Sequence, residues 1–330
     1  MIRVISLALV AIFVAGPAWA HATKHRHARH SVQTTAPANA QTNTQTAAQT
    51  TAQANDWRPV DPENMLLIDV KYGQIVVELA PQFAPEHVAR MKALARAHFF
   101  DGTSFYRVID GFVAQGGIGE GTASTKDQTT QDDPRRVNWP NLKAEFDRPI
   151  SRELSFTPLG NGDLFAQQVG HTDGFPVGRD LREKRTWIIH CPGTFAFARD
   201  NKADTASTEF YIVIGEAPRR LDRNLTAFGR VLDGMQYLQK LERGDPAVAS
   251  GVIQDKDRAD KIIKIRVAAD VAPADRPGFD VMRTDGKAFA ETKKQWKNPA
   301  PDFYVRTPPP IIDICLKPVP VRRVALSGPG

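Results

Sequence analysis

Residues 65–79, MLLIDVKYGQIVVEL, form two aliphatic runs separated at Lys71-Tyr72-Gly73, where glycine takes the positive φ of a tight turn; the pattern predicts a hairpin. Pro85 then opens APEHVARMKALARAHF. Val88, Met91, Ala95 and His98 recur there at helical spacing, and the proline stands in the first turn, where its missing N–H costs nothing. Residues 104–109 and 112–115 are short aromatic and β-branched runs broken by Asp110-Gly111, and read as two more strands. Later, Met235, Leu238 and Leu241 recur at three-residue steps with Gly244 where a left-handed C-cap would stand, a pattern that fits a second helix.

The two ends depart from this pattern. After Arg3, residues 4–16 are an uncharged apolar run of 13, followed by Ala18-Trp19-Ala20, a small-x-small cleavage site. This predicts a secretory signal peptide over 1–20 and a mature chain starting at His21 in an oxidising compartment, periplasmic or secreted; the run is too short for a membrane span. Residues 31–55 hold 22 Gln, Thr, Ala and Asn in 25 positions, with nothing to offset the entropy of ordering, so 21–55 reads as a disordered tail. Its start carries His21, His25, His27 and His30, which read as a solvated basic segment rather than a metal site because neither Cys nor carboxylate accompanies them. At the other end, residues 271–330 carry ten of the 24 prolines. Ile311, Ile312, Ile314 and Leu316 are too apolar for a free tail, so 272–330 is expected to be an extended segment packed on the main domain. Pro308–Pro310 offers a lesser alternative, a pseudo-substrate lying in a binding groove.

Charge changes the picture little. The chain is +6 overall with a pI near 9.3, but Arg3, Lys24, Arg26 and Arg29 precede the first acidic residue, Asp56. From Asp56 onward 39 basic residues face 37 acidic ones, a balance that gives no case for nucleic-acid binding. The only two cysteines, Cys191 and Cys315, are expected to pair in an exported chain, with two buried thiols as the alternative.

Several blocks carry a family resemblance. Residues 105–117, FYRVIDGFVAQGG, resemble the F-H-R-V-I-x-x-F-x-x-Q-G-G signature of the cyclophilins, peptidyl-prolyl isomerases. GTFAFARD resembles the family strand ending in M-A-N, STEFYIVIG the S-Q-F-F-I strand, and LDRNLTAFGRVLDGMQYLQKLERG the block built on F-G-x-V-x-x-G-M. The blocks occur in family order across about 65–271. The resemblance implies a mainly β fold, a closed eight-stranded antiparallel barrel capped by two helices, the second beginning near Leu232, for the domain 56–271. The chain between Gly117 and Ala198 exceeds what a compact member carries, so about 156–193 is read as an insertion beside the substrate groove.

Carried over by position, Arg107 matches the family's catalytic arginine, whose guanidinium stays charged at any relevant pH. Phe112 and Val113 match the floor of a proline cup, Tyr211 stands where a Phe is usual, and Leu221 matches another wall. Gln115 and Ala198 match contacts to the substrate backbone. Four positions depart: Glu209 replaces Gln, Arg199 replaces Asn, Leu225 replaces a frequent His, and Arg220 stands where an aromatic is common. An ionised Glu209 cannot donate to a substrate carbonyl and is expected to pair with Arg107, restraining it. His171 and His190 read as solvated or packed rather than as ligands. No G-x-S-x-G, H-E-x-x-H or phosphate-loop G-K-[ST] occurs.

These readings favour a monomeric exported isomerase acting on proline-containing polypeptides, with no cofactor or metal, no nucleic acid and no membrane span after signal cleavage. The alternative is a proline-peptide-binding chaperone module with little or no turnover. An envelope scaffold or metal carrier working through the tail and extension is a third class.

Overall fold

The computed structural model describes residues 54–119 and 134–324; the expected leader and nearly all of the expected tail lie outside the described residues. Within the first hairpin, Leu66, Ile68, Ile75 and Val77 enter one hydrophobic core, while Met65, Leu67 and Val76 enter another. Both faces of these strands are covered, which is why the hairpin reads as nearly continuous apolar runs rather than as alternation.

The inner face belongs to a barrel. Its eight antiparallel strands run in the order Ile262–Val267, Met65–Val70, Gly73–Leu79, Ala227–Asp233, Thr194–Phe197, Phe210–Val213, Val113–Gly117 and Ser104–Val108. The end strands approach one another: Ser104 bridges Lys261, and the Phe105 N–H donates to the Asp260 carbonyl over 2.9 Å. The sheet is thereby nearly closed, and little edge is left open. Phe105, Phe195, Phe197, Phe210 and Phe228 fill the interior.

The first helix, Pro85–Arg96, starts on Pro85 and buries His87, Val88, Met91, Leu94 and Ala95. His98 does not extend this face: it takes φ 54° and is exposed, so the helix stops before it. The second helix is shorter than the apolar spacing suggests and starts later than the resemblance implies. The strand Ala227–Asp233 runs through position 232, Gly234 turns the chain at φ 97°, and only Met235–Leu238 is helical. Gly244 is no C-cap; its Cα faces the Gly251 carbonyl, and a Cβ there would lie 1.9 Å from that oxygen.

The insertion is a folded layer, wider than expected. Arg148–Pro149, Arg185–Ile188, Phe175–Asp180, Gln168–Thr172 and Thr157–Pro158 form, in that order, a five-stranded antiparallel sheet. Leu154, Phe175, Val177 and Ile188 pack on Val113, Ala196, Tyr211 and Val213, covering the barrel's outer face on the side of these strands.

The C-terminal region is not simply extended. Gly278–Met282 pairs with both Trp57–Pro59 and Val321–Val324, and Lys287–Lys297 is a helix. Phe279, Val281, Phe289 and Val319 cover Met65, Leu67 and Val76, the outer face of the first hairpin. Ile312 and Ile314 are buried against Trp187 and Ile189 of the insertion, whereas Ile311 and Leu316 are exposed. A disulfide joins Cys191 to Cys315, 124 positions apart in sequence, and so ties extension to insertion.

Cross-linking residues this distant removes about 4.9 kcal/mol of unfolded-chain entropy at most, and commonly about 2–4. Replacing both cysteines by alanine is therefore expected to lower stability in urea by about 2–4 kcal/mol. An unchanged urea midpoint would show that the apolar contacts of Ile312 and Ile314 alone hold the segment.

Candidate active site

Phe105 and Val108 both enter the barrel core although they stand three residues apart, where strict alternation would place one outside. The pairing register shifts between Ser104 and Arg107, and this bulge absorbs the extra residue. Tyr106 and Arg107 consequently both reach Gln115. Cross-strand pairing then sets a row: Arg107 lies opposite Gln115, Gln115 opposite Tyr211, and Tyr211 opposite Ala196.

Along this row runs a groove of about 480 Å³. Of the residues singled out in the sequence, Arg107, Phe112, Val113, Gln115, Ala198, Arg199, Tyr211, Leu221 and Leu225 line it. Phe112, Val113, Tyr211, Leu221 and Leu225 form its apolar part, with Arg107 and Gln115 supplying the polar groups. Arg220 is exposed and lines no part of it; Pro308–Pro310 is absent from its walls.

Arg107 is anchored without being neutralised. Its Nε donates to the Ser250 carbonyl over 2.8 Å and its Nη1 to Gln115 Oε1 over 3.1 Å. Among the described residues it forms no ion pair. Ala249 and Ser250 sit at φ 45° and 55°, two consecutive left-handed residues in a turn that presents this carbonyl. Such conformations cost about 1–2 kcal/mol per residue, so the packing of the surrounding loop must hold them. Nothing in the apolar pattern points to Ala249, Ser250 or Val252 as groove residues; the only local signal is the turn-prone Ser-Gly pair at 250–251.

Glu209 does not pair with Arg107, contrary to expectation. It lies behind the groove, buried, in an ion pair with the buried Arg136. The Tyr106 hydroxyl and the backbone N–H groups of Ile118 and Gly119 also face it and favour its charged form. Burial pushes its carboxyl up, and Arg136 opposes that shift. Gly117 makes room for it: φ there is 146°, and a Cβ would fall 2.2 Å from Glu209 Oε2. Gln115 Nε2 donates to the Tyr106 oxygen over 2.5 Å. A continuous relay therefore runs from Arg136 through Glu209, Tyr106 and Gln115 to Arg107.

A second relay backs the apolar end. The Tyr211 hydroxyl lies 2.8 Å from His190 Nε2, His190 Nδ1 lies 3.0 Å from Asp222 Oδ1, and Arg219 Nε donates to Asp222 Oδ2 over 2.7 Å. Arg219 in turn makes two 2.9 Å bonds to Asp163. The Asp222 carboxylate accepts only, so Nδ1 carries the donor and Nε2 faces the Tyr211 hydroxyl. Burial, with Asp222 nearby, raises Tyr211 well above the ordinary phenol range, so the hydroxyl keeps its proton. Burial also pushes Asp163 up, but the Arg219 bonds and the N–H groups of Phe165 and Ala166 outweigh it and leave the carboxyl below its usual range. His190 is thus packed and partnered; His171 is buried elsewhere, against Phe289. Arg199 is pinned by its Nε to the Asn224 carbonyl and by Nη1 to the Asp200 carbonyl.

Comparison with known proteins gives this geometry a family. A protein of Brucella suis biovar 1, named a probable peptidyl-prolyl cis-trans isomerase, is 29% identical over 212 residues, 64% of this chain and 85% of its own. Peptidyl-prolyl cis-trans isomerase B of Bacillus subtilis is 28% identical over 172 residues, 52% of this chain and 85% of its own. The crystal structure of cyclophilin AquaCyp293 from Hirschia baltica superposes with a TM-score of 0.64 at 25% identity, covering 86% of this chain and 99% of that one. The family model for cyclophilin-type peptidyl-prolyl cis-trans isomerases matches residues 65–268, the barrel with its insertion, and the chain belongs to that family.

Proposed function

We propose that this isomerase acts on proline-containing polypeptides outside the cytoplasm and that Arg107 is its catalytic residue. Amide resonance sets a barrier of about 18–20 kcal/mol to rotation about an Xaa-Pro bond, and lowering it requires no covalent step. A donor that bonds the prolyl nitrogen lone pair as it pyramidalises is stronger in the twisted state than in the planar one, which is the condition for catalysis. The observation that carries the reading is that Arg107 is held at two points yet forms no ion pair among the described residues, so its charge remains for the substrate. Phe112, Val113, Tyr211, Leu221 and Leu225 cup the proline ring, and Gln115 and the Ala198 backbone hold the neighbouring peptide. The binding-only alternative rested on Glu209 occupying Arg107 and on Arg220 removing an aromatic wall; Glu209 is occupied by Arg136 instead, and Arg220 lines no part of the groove.

Two features support export: the charged, apolar and Ala18-Trp19-Ala20 segments of the N-terminus, and a disulfide between the only two cysteines. N-terminal sequencing after expression in a secreting bacterium is expected to read from His21 in the periplasmic fraction; an intact Met1 in the cytoplasm would contradict export.

Arg107→Ala is expected to lower kcat by about 10²–10³, with peptide Kd changed only a few-fold. Wild-type turnover in this variant would overturn the assignment. Glu209→Gln is expected to slow turnover by about two- to tenfold, the worth of one loosened hydrogen bond in the Tyr106–Gln115–Arg107 relay. The same change leaves Arg136 buried without its carboxylate, at about 3–5 kcal/mol. A faster Glu209→Gln enzyme, measured below its melting temperature, would show that Glu209 restrains Arg107 rather than positions it.

A further inference from the structure

A second cavity, about 500 Å³, lies away from the groove, between the insertion, the barrel and the segment 314–321. Ile188, Val231, Met235, Ile314 and Val319 give it an apolar wall, and the disulfide partners Cys191 and Cys315 close one side. Its lining includes Arg230, Lys317 and His171 but no acidic residue. Gaps between packed layers are usually smaller or filled, and this one has the size and apolar character of a small-molecule site.

Arg230 is the unusual member. Only 8% exposed, it donates from Nε and Nη2 to a single oxygen of Glu78, over 3.1 and 2.9 Å. The other Glu78 oxygen accepts from Arg58 over 2.5 Å. Two guanidinium groups therefore share one carboxylate, which leaves a net positive charge in a buried place. Arg230 Nη1 bonds to no described residue. Burial pulls the Arg230 guanidinium down despite Glu78. His171, nearby, is held at about 3 by burial together with Arg230 and Lys293, so it stays neutral and adds no compensation. Gly174 packs so close that a Cβ there would lie 2.6 Å from Arg230 Nη2, leaving the guanidinium little freedom to turn away.

A buried cation short of a carboxylate, at one end of an apolar cavity, is complementary to one chemical class. We propose that this cavity binds a single-chain amphipathic carboxylate, with the carboxylate on Arg230 Nη1 and the hydrocarbon against Ile188, Val231, Met235, Ile314 and Val319. Inorganic anions lack the apolar body, and alcohols of the same length lack the charge. The site is separate from the proline groove, so both can be filled together.

Titration calorimetry on the intact disulfide-bonded protein with decanoate, decanol and acetate, below the micelle concentration, tests this. Decanoate is expected to bind one to one, with decanol and acetate each at least about tenfold weaker, the worth of a charged hydrogen bond or of the buried chain. A saturating proline peptide is expected not to displace it. Arg230→Met leaves Arg58 to neutralise Glu78 and is expected to bring decanoate down to the affinity of decanol. Met235→Trp fills the cavity without touching the charge and is expected to abolish binding of both. Equal affinity for decanoate and decanol in the wild type, displacement by the proline peptide, unchanged decanoate binding in Met235→Trp, or no decanoate binding would each overturn the proposal. Should Arg230→Met not fold, the acid-to-alcohol ratio and Met235→Trp decide it.

Discussion

A hydrogen-bond donor that acts on a twisting amide must stay still while the amide moves, and it must arrive without a carboxylate already on it. Arg107 is a half-buried strand arginine with a long, flexible stem, and left to itself it would lose side-chain entropy on every encounter. Its fixation is built from strand geometry: a bulge that turns Tyr106 and Arg107 to the same side, a glutamine opposite them, and a left-handed turn that offers the Ser250 carbonyl. The only charge compensation in the relay, Arg136 with Glu209, sits at its far end, out of reach of the substrate. Placing the ion pair there orients Gln115 through Tyr106 and leaves the Arg107 charge unspent.

The layers outside the barrel follow from the same need for a stationary groove. A barrel strand with apolar residues on both faces needs cover, and the chain supplies it twice: the inserted sheet over Tyr211 and Val213, and the C-terminal sheet and helix over Met65, Leu67 and Val76. The insertion also sends His190 behind Tyr211 and, through Arg219, Asp163 behind Asp222. The cup thus has a polar, fully bonded back. The disulfide ties the two covers together, so movement of one is resisted by the other.

Much of the groove was legible in the chain because the family blocks carry their own register. Once FYRVIDGFVAQGG and STEFYIVIG are strands that pair, Arg107, Gln115 and Tyr211 fall into a row. The partner of Glu209 was not legible, because Arg136 comes 73 positions earlier and its approach depends on a path that no local pattern encodes. The insertion resisted reading because its strands are two to six residues long and interrupted by Gly, Pro and charges, which leaves little period to detect. The helix Lys287–Lys297 was hidden by averaging: ten prolines in sixty residues argue against helix, but none lies between Pro277 and Pro299. At Met235 the error ran the other way. Three-residue apolar spacing fits a single turn as well as a helix, and Gly234 at φ 97° decides where the turn begins.

Fixation of the donor before substrate arrives can be read from nitrogen-15 relaxation of the Arg107 Nε–Hε group in the peptide-free protein. A pre-fixed guanidinium should give an order parameter near that of rigid backbone, about 0.85, and well above those of exposed arginines such as Arg220. An Arg107 value below about 0.6, equal to that of Arg220, would mean instead that the guanidinium is ordered only by the substrate and that the Ser250 and Gln115 bonds do not hold it.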